Sequence, residues 1–233
     1  MTKIRDLVNI LSAQPKPILC LDTCDLLDTI RGVRLRNLSS LRSFISVRDK
    51  LDLNTDFCQV VVSYLVKHEW RQNLSKVRID ETADLQKTAE RHQSINEARS
   101  LIGLSRIGFE KIEEAFMIDG FVDVTRRIID RAVVLERDGA CIDRALGRLM
   151  DQQRPSHKNQ IKDSIHLEHY LDLARQLKAL NYGKSCLFVS GNKADFWAES
   201  GKPRIHPDLE SDLQAAGLTF FARLEEAVRR LGI

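Results

Sequence analysis

Short apolar runs alternate with helical patterns of apolar and polar residues at both ends of the chain. Residues 18–21 form an apolar run of the length of a buried parallel strand, and the apolar positions that follow Asp22 recur at helical spacing. A β-branched run at residues 60–62 and the apolar run within residues 185–190 predict two more strands, the first of which changes to helix near residue 62 or 63. This alternation predicts an α/β fold with a doubly wound, central parallel sheet.

The middle of the chain is predicted to be helical. Residues 71–101 are highly charged and contain no proline, which is typical of one or two long exposed helices. Residues 104–150 continue with helical apolar sets, with plausible breaks at Gly120 and Gly139. We therefore predict one domain over residues 1–233, in which residues 71–135 form a mainly helical insertion. The remaining pattern predicts helices near residues 4–11, 41–47, 165–177 and 208–216, a short strand at 218–221 and a last helix through Arg230.

The composition adds three expectations. A hydrophobic fraction of 43% and a charged fraction of 30% are those of a soluble globular protein, and a net charge of +3 permits nucleic-acid binding without arguing for it. No apolar run approaches the roughly 18 residues that suggest a membrane span, so we expect no membrane partner. The N-terminal segment lacks a signal-peptide core, and cytoplasm is the default location. The five cysteines form no CxxC pair and no zinc spacing, which indicates buried thiols in a reducing compartment.

Acidic and amide side chains follow each predicted strand or open a helix. Asp22 ends the first strand, Glu69 lies in the second turn of the helix after the second strand, Asp163 opens a helix, and Asn192 and Asp195 follow the third strand. Because ligand sites gather at the carboxyl ends of parallel strands, these side chains can converge at one edge of the sheet. Clustered carboxylates repel each other and need a cation. Oxygen ligands without histidine or cysteine suit Mg²⁺ or Mn²⁺, which can activate water and stabilise charge on a phosphodiester.

Each of these residues also has a purely structural interpretation. Asp22 or Thr23 could do no more than cap the helix that follows them. Asp163 could serve the same purpose, because a helix N-terminus favours a carboxylate. The site interpretation therefore depends on the acids coming together in the fold.

The combination of motifs resembles the PIN-domain nucleases, in a branch with a helical insertion. The resemblance covers nearly the whole chain apart from residues 71–135. It is carried by ILCLDT at 18–23, VKHEW at 66–70, KDSIHLE at 162–168, LFVSGNKADF at 187–196 and HPDL at 206–209. It implies a PIN-like three-layer α/β/α fold and cleavage of single-stranded or structured RNA with Mg²⁺ or Mn²⁺.

By position, the resemblance assigns catalytic roles to four acids: Asp22, Glu69, Asp163 and Asp195. It assigns the same four acids and Asn192 to the metal. Asn192 cannot supply the charge that family members often have near this position, so the fourth charge falls to Asp195. This departure puts tight binding of a second metal in question.

Cations and hydroxyls beside these motifs are candidates for substrate contact. We expect substrate binding by Thr23, Ser190, Lys193, Arg154 and Lys162. The basic residues that precede Asp163 could guide a phosphate backbone, or simply form a solvated face: Arg144, Arg148, Arg154, Lys158 and Lys162. Trp70 and Trp197 flank two acid motifs, and packing is favoured over base stacking for both.

Three functions remain open from the sequence. The leading interpretation is a divalent-metal-dependent endoribonuclease. Such an enzyme could be a toxin or defence-type nuclease, and its partners could be a protein inhibitor or a second copy of the same chain. The alternative is a catalytically weak or inactive PIN-like module that binds RNA or protein, an interpretation that rests on Asn192. A phosphatase of the haloacid-dehalogenase kind is disfavoured, because Cys24 stands where that family needs a second aspartate.

Overall fold

A five-stranded parallel sheet forms the centre of the protein, in the order β3-β2-β1-β4-β7. The computed structural model describes residues 1–35, 37–53, 57–108, 114–156, 161–199 and 202–232. Two further strands, β5 and β6, form a separate antiparallel hairpin. The strands of the described residues are β1 Ile18–Leu21, β2 Gln59–Ser63, β3 Val133–Leu135, β4 Cys186–Val189, β5 Trp197–Glu199, β6 Lys202–Ile205 and β7 Leu218–Phe221.

Helices connect the strands and cover both faces of the sheet. Their bounds are α1 Ile4–Ala13, α2 Thr23–Ile30, α3 Leu38–Asp52, α4 Tyr64–Leu101, α5 Glu114–Arg131, α6 Gly139–Met150, α7 Ile161–Ala179, α8 Lys193–Phe196, α9 Pro207–Ala216 and α10 Leu224–Leu231. One face packs against α1, α7 and α9, and the other against α2, α3, α5 and α10. The predicted three-layer α/β/α fold with a central parallel sheet is confirmed.

The side chains of β1 explain why both faces of the sheet are covered. Ile18 and Cys20 point into the core cluster of α1 and α7, whereas Leu19 and Leu21 point into the cluster of α2 and α3. Successive side chains of a strand alternate between faces, so a strand that is apolar throughout must be buried on both.

The register of the central strands brings their carboxyl ends together. Ile18 lies opposite Cys186, and Leu21 lies opposite Val189, so β1 and β4 end at the same level. The two strands are parallel neighbours, in agreement with the predicted parallel sheet. On the other side of β1, Cys20 pairs with Val61 in β2. The residues that follow these strands therefore meet at one edge of the sheet.

The segment 71–135 differs in part from its prediction. It is mainly helical, but it also supplies β3, an edge strand of the sheet, and α5, which buries Ile118 and Ile128 in the core. Gly120 lies inside α5 and does not break it. Among the described residues, α4 packs on the body mainly through its first half: Trp70 and Val77 are buried, whereas Leu101 at its end is 88% exposed. At 1.5 Å per residue, the 38 residues of α4 span about 57 Å.

The cysteines and the helix lengths bear on two other expectations. All five cysteines are free thiols, and four of them are buried. Among the described residues, the helices are too short or too polar to span a lipid bilayer.

Candidate active site

An open cleft of about 670 Å³ lies at the carboxyl edge of the sheet. Asp22, Glu69 and Asp163 all line it, although they come from the end of β1, from α4 and from α7. The described lining consists of Asp22, Thr23, Cys24, Leu27, Arg31, Glu69, Asn73, Ile161, Lys162, Asp163 and Asn192. The fold thus brings three of the four predicted acids, and Asn192, to one place.

Asp22 is held by hydrogen bonds on both oxygens. It is the N-cap of α2, where Oδ1 accepts the backbone N–H of Thr23 at 2.6 Å. Its Oδ2 accepts the hydroxyl of Ser190 at 2.6 Å and the thiol of Cys24 at 3.2 Å. The side chain therefore caps its helix and also lines the cleft, so its capping role does not remove it from the candidate site.

Glu69 points from the second turn of α4 toward the end of β1. Its Oε2 accepts the hydroxyl of Thr23 at 2.8 Å, and its Oε1 lies 3.2 Å from Lys162 Nζ. Burial by itself would raise the pKa of Glu69. The hydrogen bond and charge of His166, with the hydrogen bonds from Thr23 and Lys162, outweigh burial and lower that pKa to about 2. Glu69 is therefore an anion at neutral pH.

His166 connects β2 to this carboxylate. Its Nδ1 lies 2.5 Å from Ser63 Oγ, and its Nε2 lies 3.3 Å from Glu69 Oε2. Burial disfavours the charged ring and by itself lowers its pKa. The hydrogen bond to Glu69 and the surrounding carboxylates outweigh burial and raise the pKa of His166. The ring therefore fixes the rotamer of Glu69 and partly neutralises its charge.

Asp163 lies in the first turn of α7, where Asn192 Nδ2 donates to its Oδ2 at 3.3 Å. Burial raises the pKa of Asp163 to about 7. The negative charges of Asp22, Asp195 and Glu69 act in the same direction, and the charge of His166 opposes them. Burial and the neighbouring carboxylates therefore both disfavour the charged form of Asp163.

The remaining predicted residues occupy different positions. Asp195 is buried on α8 and is not among the described residues that line the cleft, although its charge reaches Asp163. Ser190 is fully buried, so it positions Asp22 and does not offer its hydroxyl to a substrate. Lys193 lies 5.2 Å from the ring of Trp197 and lines a neighbouring groove. Thr23 and Lys162, in contrast, do line the cleft.

The described arginines that precede α7 make contacts within the protein. Arg154 donates to the backbone oxygens of Ala194 and Asp195 and so holds α8. Arg144 and Arg148 both donate to the buried carboxylate of Glu168, at 2.8 Å and 2.7 Å, which favours a structural role for them over guidance of a phosphate. Arg148 also pairs with Asp212. Lys158 lies outside the described residues. Trp70 and Trp197 are 6% and 4% exposed, so both serve packing.

A tighter group of metal-ligand types lies at the start of α2. Asp22, Cys24 and Asp25 each offer a ligand atom, and these atoms lie within 4.8 Å of one another. Burial, followed by the charges of Asp22 and Asp25, raises the pKa of the Cys24 thiol, so the S–H group stays protonated and donates a hydrogen bond to Asp22. Asp25 accepts the backbone N–H of Gly191 at 3.2 Å. Since thiolate is the ligating form of cysteine, the oxygens of the cleft are the better donors for a hard cation.

Sequence reasoning gave no role to His166 or Tyr170. Tyr170 donates from its hydroxyl to the backbone oxygen of Leu21 at 2.7 Å and accepts the N–H of Ser63 at 3.0 Å, so it joins the ends of β1 and β2. Asp163, His166 and Tyr170 are spaced i, i+3 and i+7, which places them on one face of α7. This spacing is the sequence signal by which His166 and Tyr170 could have been assigned to the same side of α7 as Asp163.

The fold and the cleft define a class of protein: a three-layer α/β/α domain with acids gathered at the carboxyl edge of a parallel sheet. A family model described as PIN domain matches residues 19–196, which is most of the chain. The chain therefore belongs to the PIN-domain family, whose members are generally metal-dependent nucleases. A search of curated proteins and a search of solved structures each found no significant match.

Proposed function

We propose that the protein is a divalent-metal-dependent endoribonuclease, which hydrolyses phosphodiester bonds of RNA with Mg²⁺ or Mn²⁺. One observation carries the proposal: the carboxylates of Asp22, Glu69 and Asp163, brought from three elements, line one open cleft in a PIN-domain chain. A toxin or defence-type role, a protein inhibitor and self-association are finer parts of the same proposal, for which the long exposed end of α4 offers a surface.

The residues of the cleft fit a divalent cation. All three carboxylates supply the oxygen ligands that Mg²⁺ and Mn²⁺ prefer. Burial first, and the neighbouring carboxylates second, raise the pKa of Asp163 to about 7, and a bound cation would offset both by favouring the charged carboxylate. Asp22, Glu69 and Asp163 would hold the ion, with Asn192 as a neutral fourth neighbour. When bound, the ion supplies activation of water and neutralisation of charge on the phosphate.

Neighbouring residues hold the carboxylates in position and place a positive charge at the cleft. Thr23 and His166 hold Glu69, and Ser190 holds Asp22, so the carboxylates need little reorganisation on binding. Lys162 is 57% exposed by its side chain and stands at the cleft, where its ammonium can contact a phosphate oxygen. Asp195, buried near Asp163, contributes charge rather than a direct contact.

Cleavage of single-stranded RNA by the wild type and by Asp22→Asn tests the proposal. We expect the wild type to cleave with Mg²⁺ or Mn²⁺, cleavage to stop with a chelator, and Asp22→Asn to be inactive. The matched control is Asp208→Asn, which makes the same change on the exposed surface of α9 and should keep full activity. Melting curves establish that each variant is folded. Equal cleavage by wild type and Asp22→Asn would mean that the site lies elsewhere.

A second candidate is a PIN-domain module that binds RNA or protein without cutting. It is favoured by one observation, the neutral Asn192 that hydrogen-bonds Asp163 in the cleft. Wild-type protein that binds several RNAs but cleaves none of them with either metal would establish this alternative in place of the nuclease.

A further inference from the structure

The cleft continues beyond the three carboxylates, along the groove between α2 and α4. Thr23, Leu27 and Arg31 line it at intervals of four residues, which is one face of α2. Glu69 and Asn73 line it at the same interval on α4. Each helix therefore presents a stripe that starts beside the acids and runs away from them. The two stripes make an extension of the proposed active site.

Arg31 stands at the far end of this extension. It is the C-cap of α2, eight residues after Thr23, which corresponds to about 12 Å along the helix at 1.5 Å per residue. A nucleic-acid strand carries a phosphate about every 3.4 Å along a B-form duplex and at wider spacing when it is extended. A phosphate that contacts Arg31 is therefore not the one at the carboxylates, but a phosphate further along the same strand.

The guanidinium of Arg31 has capacity left for such a contact. Its Nη1 donates to Asp28 Oδ1 at 2.9 Å, and the side chain of Arg31 is 29% exposed. Its Nε is buried and makes no hydrogen bond among the described residues, so a phosphate would contact the exposed part of this side chain rather than Nε. The other cation of the described lining, Lys162, lies beside the carboxylates, where it pairs with Glu69, so it serves a phosphate at the acids rather than one further along the strand. A partly exposed guanidinium that lines a polar cleft suits a phosphate oxygen.

We propose that Arg31 is a substrate-binding residue that holds a phosphate of the RNA strand away from the cleaved bond, with Leu27 and Asn73 lining the path between them. The proposal rests on the proposed function and adds to it a requirement for substrate length. A strand too short to reach Arg31 loses this contact, whereas a longer strand gains it.

The kinetic test compares a dinucleotide with an oligoribonucleotide of about eight residues. We expect the wild type to show a higher kcat/KM for the longer RNA, and Arg31→Ala to lower the ratio of the two values about tenfold, mainly through KM. The matched control is Arg48→Ala on α3: Arg48 also pairs with a neighbouring acid, and its side chain is 26% exposed. Because Arg48 is not among the described residues that line the cleft, this variant should keep the wild-type ratio.

A binding test is independent of cleavage. Fluorescence anisotropy of the longer RNA, measured with chelator in the Asp22→Asn background, gives the salt dependence of affinity. Loss of one phosphate contact should reduce the slope of log K against log salt by roughly 0.7 for a single strand. The slope should fall for Arg31→Ala and not for Arg48→Ala.

The outcomes separate this proposal from the proposed function. Cleavage by the wild type with an unchanged length ratio and salt slope in Arg31→Ala overturns the role of Arg31 and leaves the nuclease standing. A wild type that binds but does not cleave overturns the nuclease, while a reduced slope in Arg31→Ala still supports the phosphate contact. A wild type that neither binds nor cleaves RNA overturns both.

Discussion

His166 Nε2 lies 3.3 Å from Glu69 Oε2, although 97 residues separate the two along the chain. The opposite ring nitrogen is fixed by Ser63 at the end of β2. A buried ring held on both sides determines where the carboxylate of Glu69 points. The position of Glu69 in the cleft thus depends on α7 as well as on its own helix.

Replacement of His166 should disturb the cleft through Glu69. We expect His166→Ala to lower kcat/KM for RNA and the apparent affinity for Mg²⁺ by about 10–100-fold, as for other residues that orient a metal ligand. The control is His68→Ala, because His68 precedes Glu69 directly but is exposed. Metal titrations of the activity check both variants. Equal losses in the two variants, or no loss in His166→Ala, would contradict the positioning role.

Asp163→Asn should stabilise the metal-free protein, increasingly so at higher pH. The pKa of Asp163 is raised from 3.8 to about 7 in the folded protein, so the folded state keeps a proton that the unfolded chain has released. The contribution of this group therefore becomes unfavourable as pH rises from about 4 to about 7. Melting temperatures in chelator at pH 5 and pH 8 should show a larger advantage of Asp163→Asn over wild type at pH 8. An advantage of the same size at both pH values would contradict this explanation.

Asn192→Asp should strengthen cation binding. The new carboxylate would stand beside Asp163, where the Asn192 amide now donates, and would add one negative charge to the cleft. Like charges at this distance destabilise the metal-free protein and increase its affinity for a divalent ion. Half-maximal activity should therefore require less Mg²⁺ than in wild type. Asn181→Asp, an exposed change elsewhere, should leave the Mg²⁺ requirement as it was.

Arg148 should matter for stability and not for RNA binding. The Arg148→Met substitution removes one of the positive charges that pair with the carboxylate of Glu168, which is only 2% exposed. We expect a loss of about 2–4 kcal/mol in the free energy of unfolding, with Arg144 and Arg175 limiting the effect. Denaturant titration measures it. The double variant with Glu168→Met should recover part of the loss, and a weaker RNA affinity in folded Arg148→Met would contradict a structural role.

Local patterns were sufficient for most of the fold. The apolar runs of β1 and β4 are buried on both faces, so they predicted two central strands without ambiguity. The three-residue β3 was missed, because Val133 continues the helical apolar spacing of α5 and a strand of this length has no period of its own. Its place in the sheet comes from pairing with β2, a contact that local periodicity does not encode.

Residues of the candidate site were recognisable where they follow a strand. Asp22 stands directly after β1, and parallel register then brings it to Ser190. Charge pairing was less readable. Arg144 and Arg148 look like free cations in the sequence. In the structure both form ion pairs with Glu168, which lies on another helix and cannot be assigned to them from local sequence. Ser190 likewise could be placed at the correct edge of the sheet, while its full burial depends on packing around β4.

The contact between Lys162 and Glu69 changes what metal uptake means for this protein. The ammonium lies 3.2 Å from the carboxylate, so the cleft carries its own internal counterion. A divalent ion held by Glu69, as we propose, would compete with this ammonium for the carboxylate, and its uptake would then be an exchange of cations rather than an addition to an open charge. The measured affinity for Mg²⁺ would be the difference between two competing attractions, and the displaced Lys162 would become available to the phosphate chain at the moment when the metal arrives.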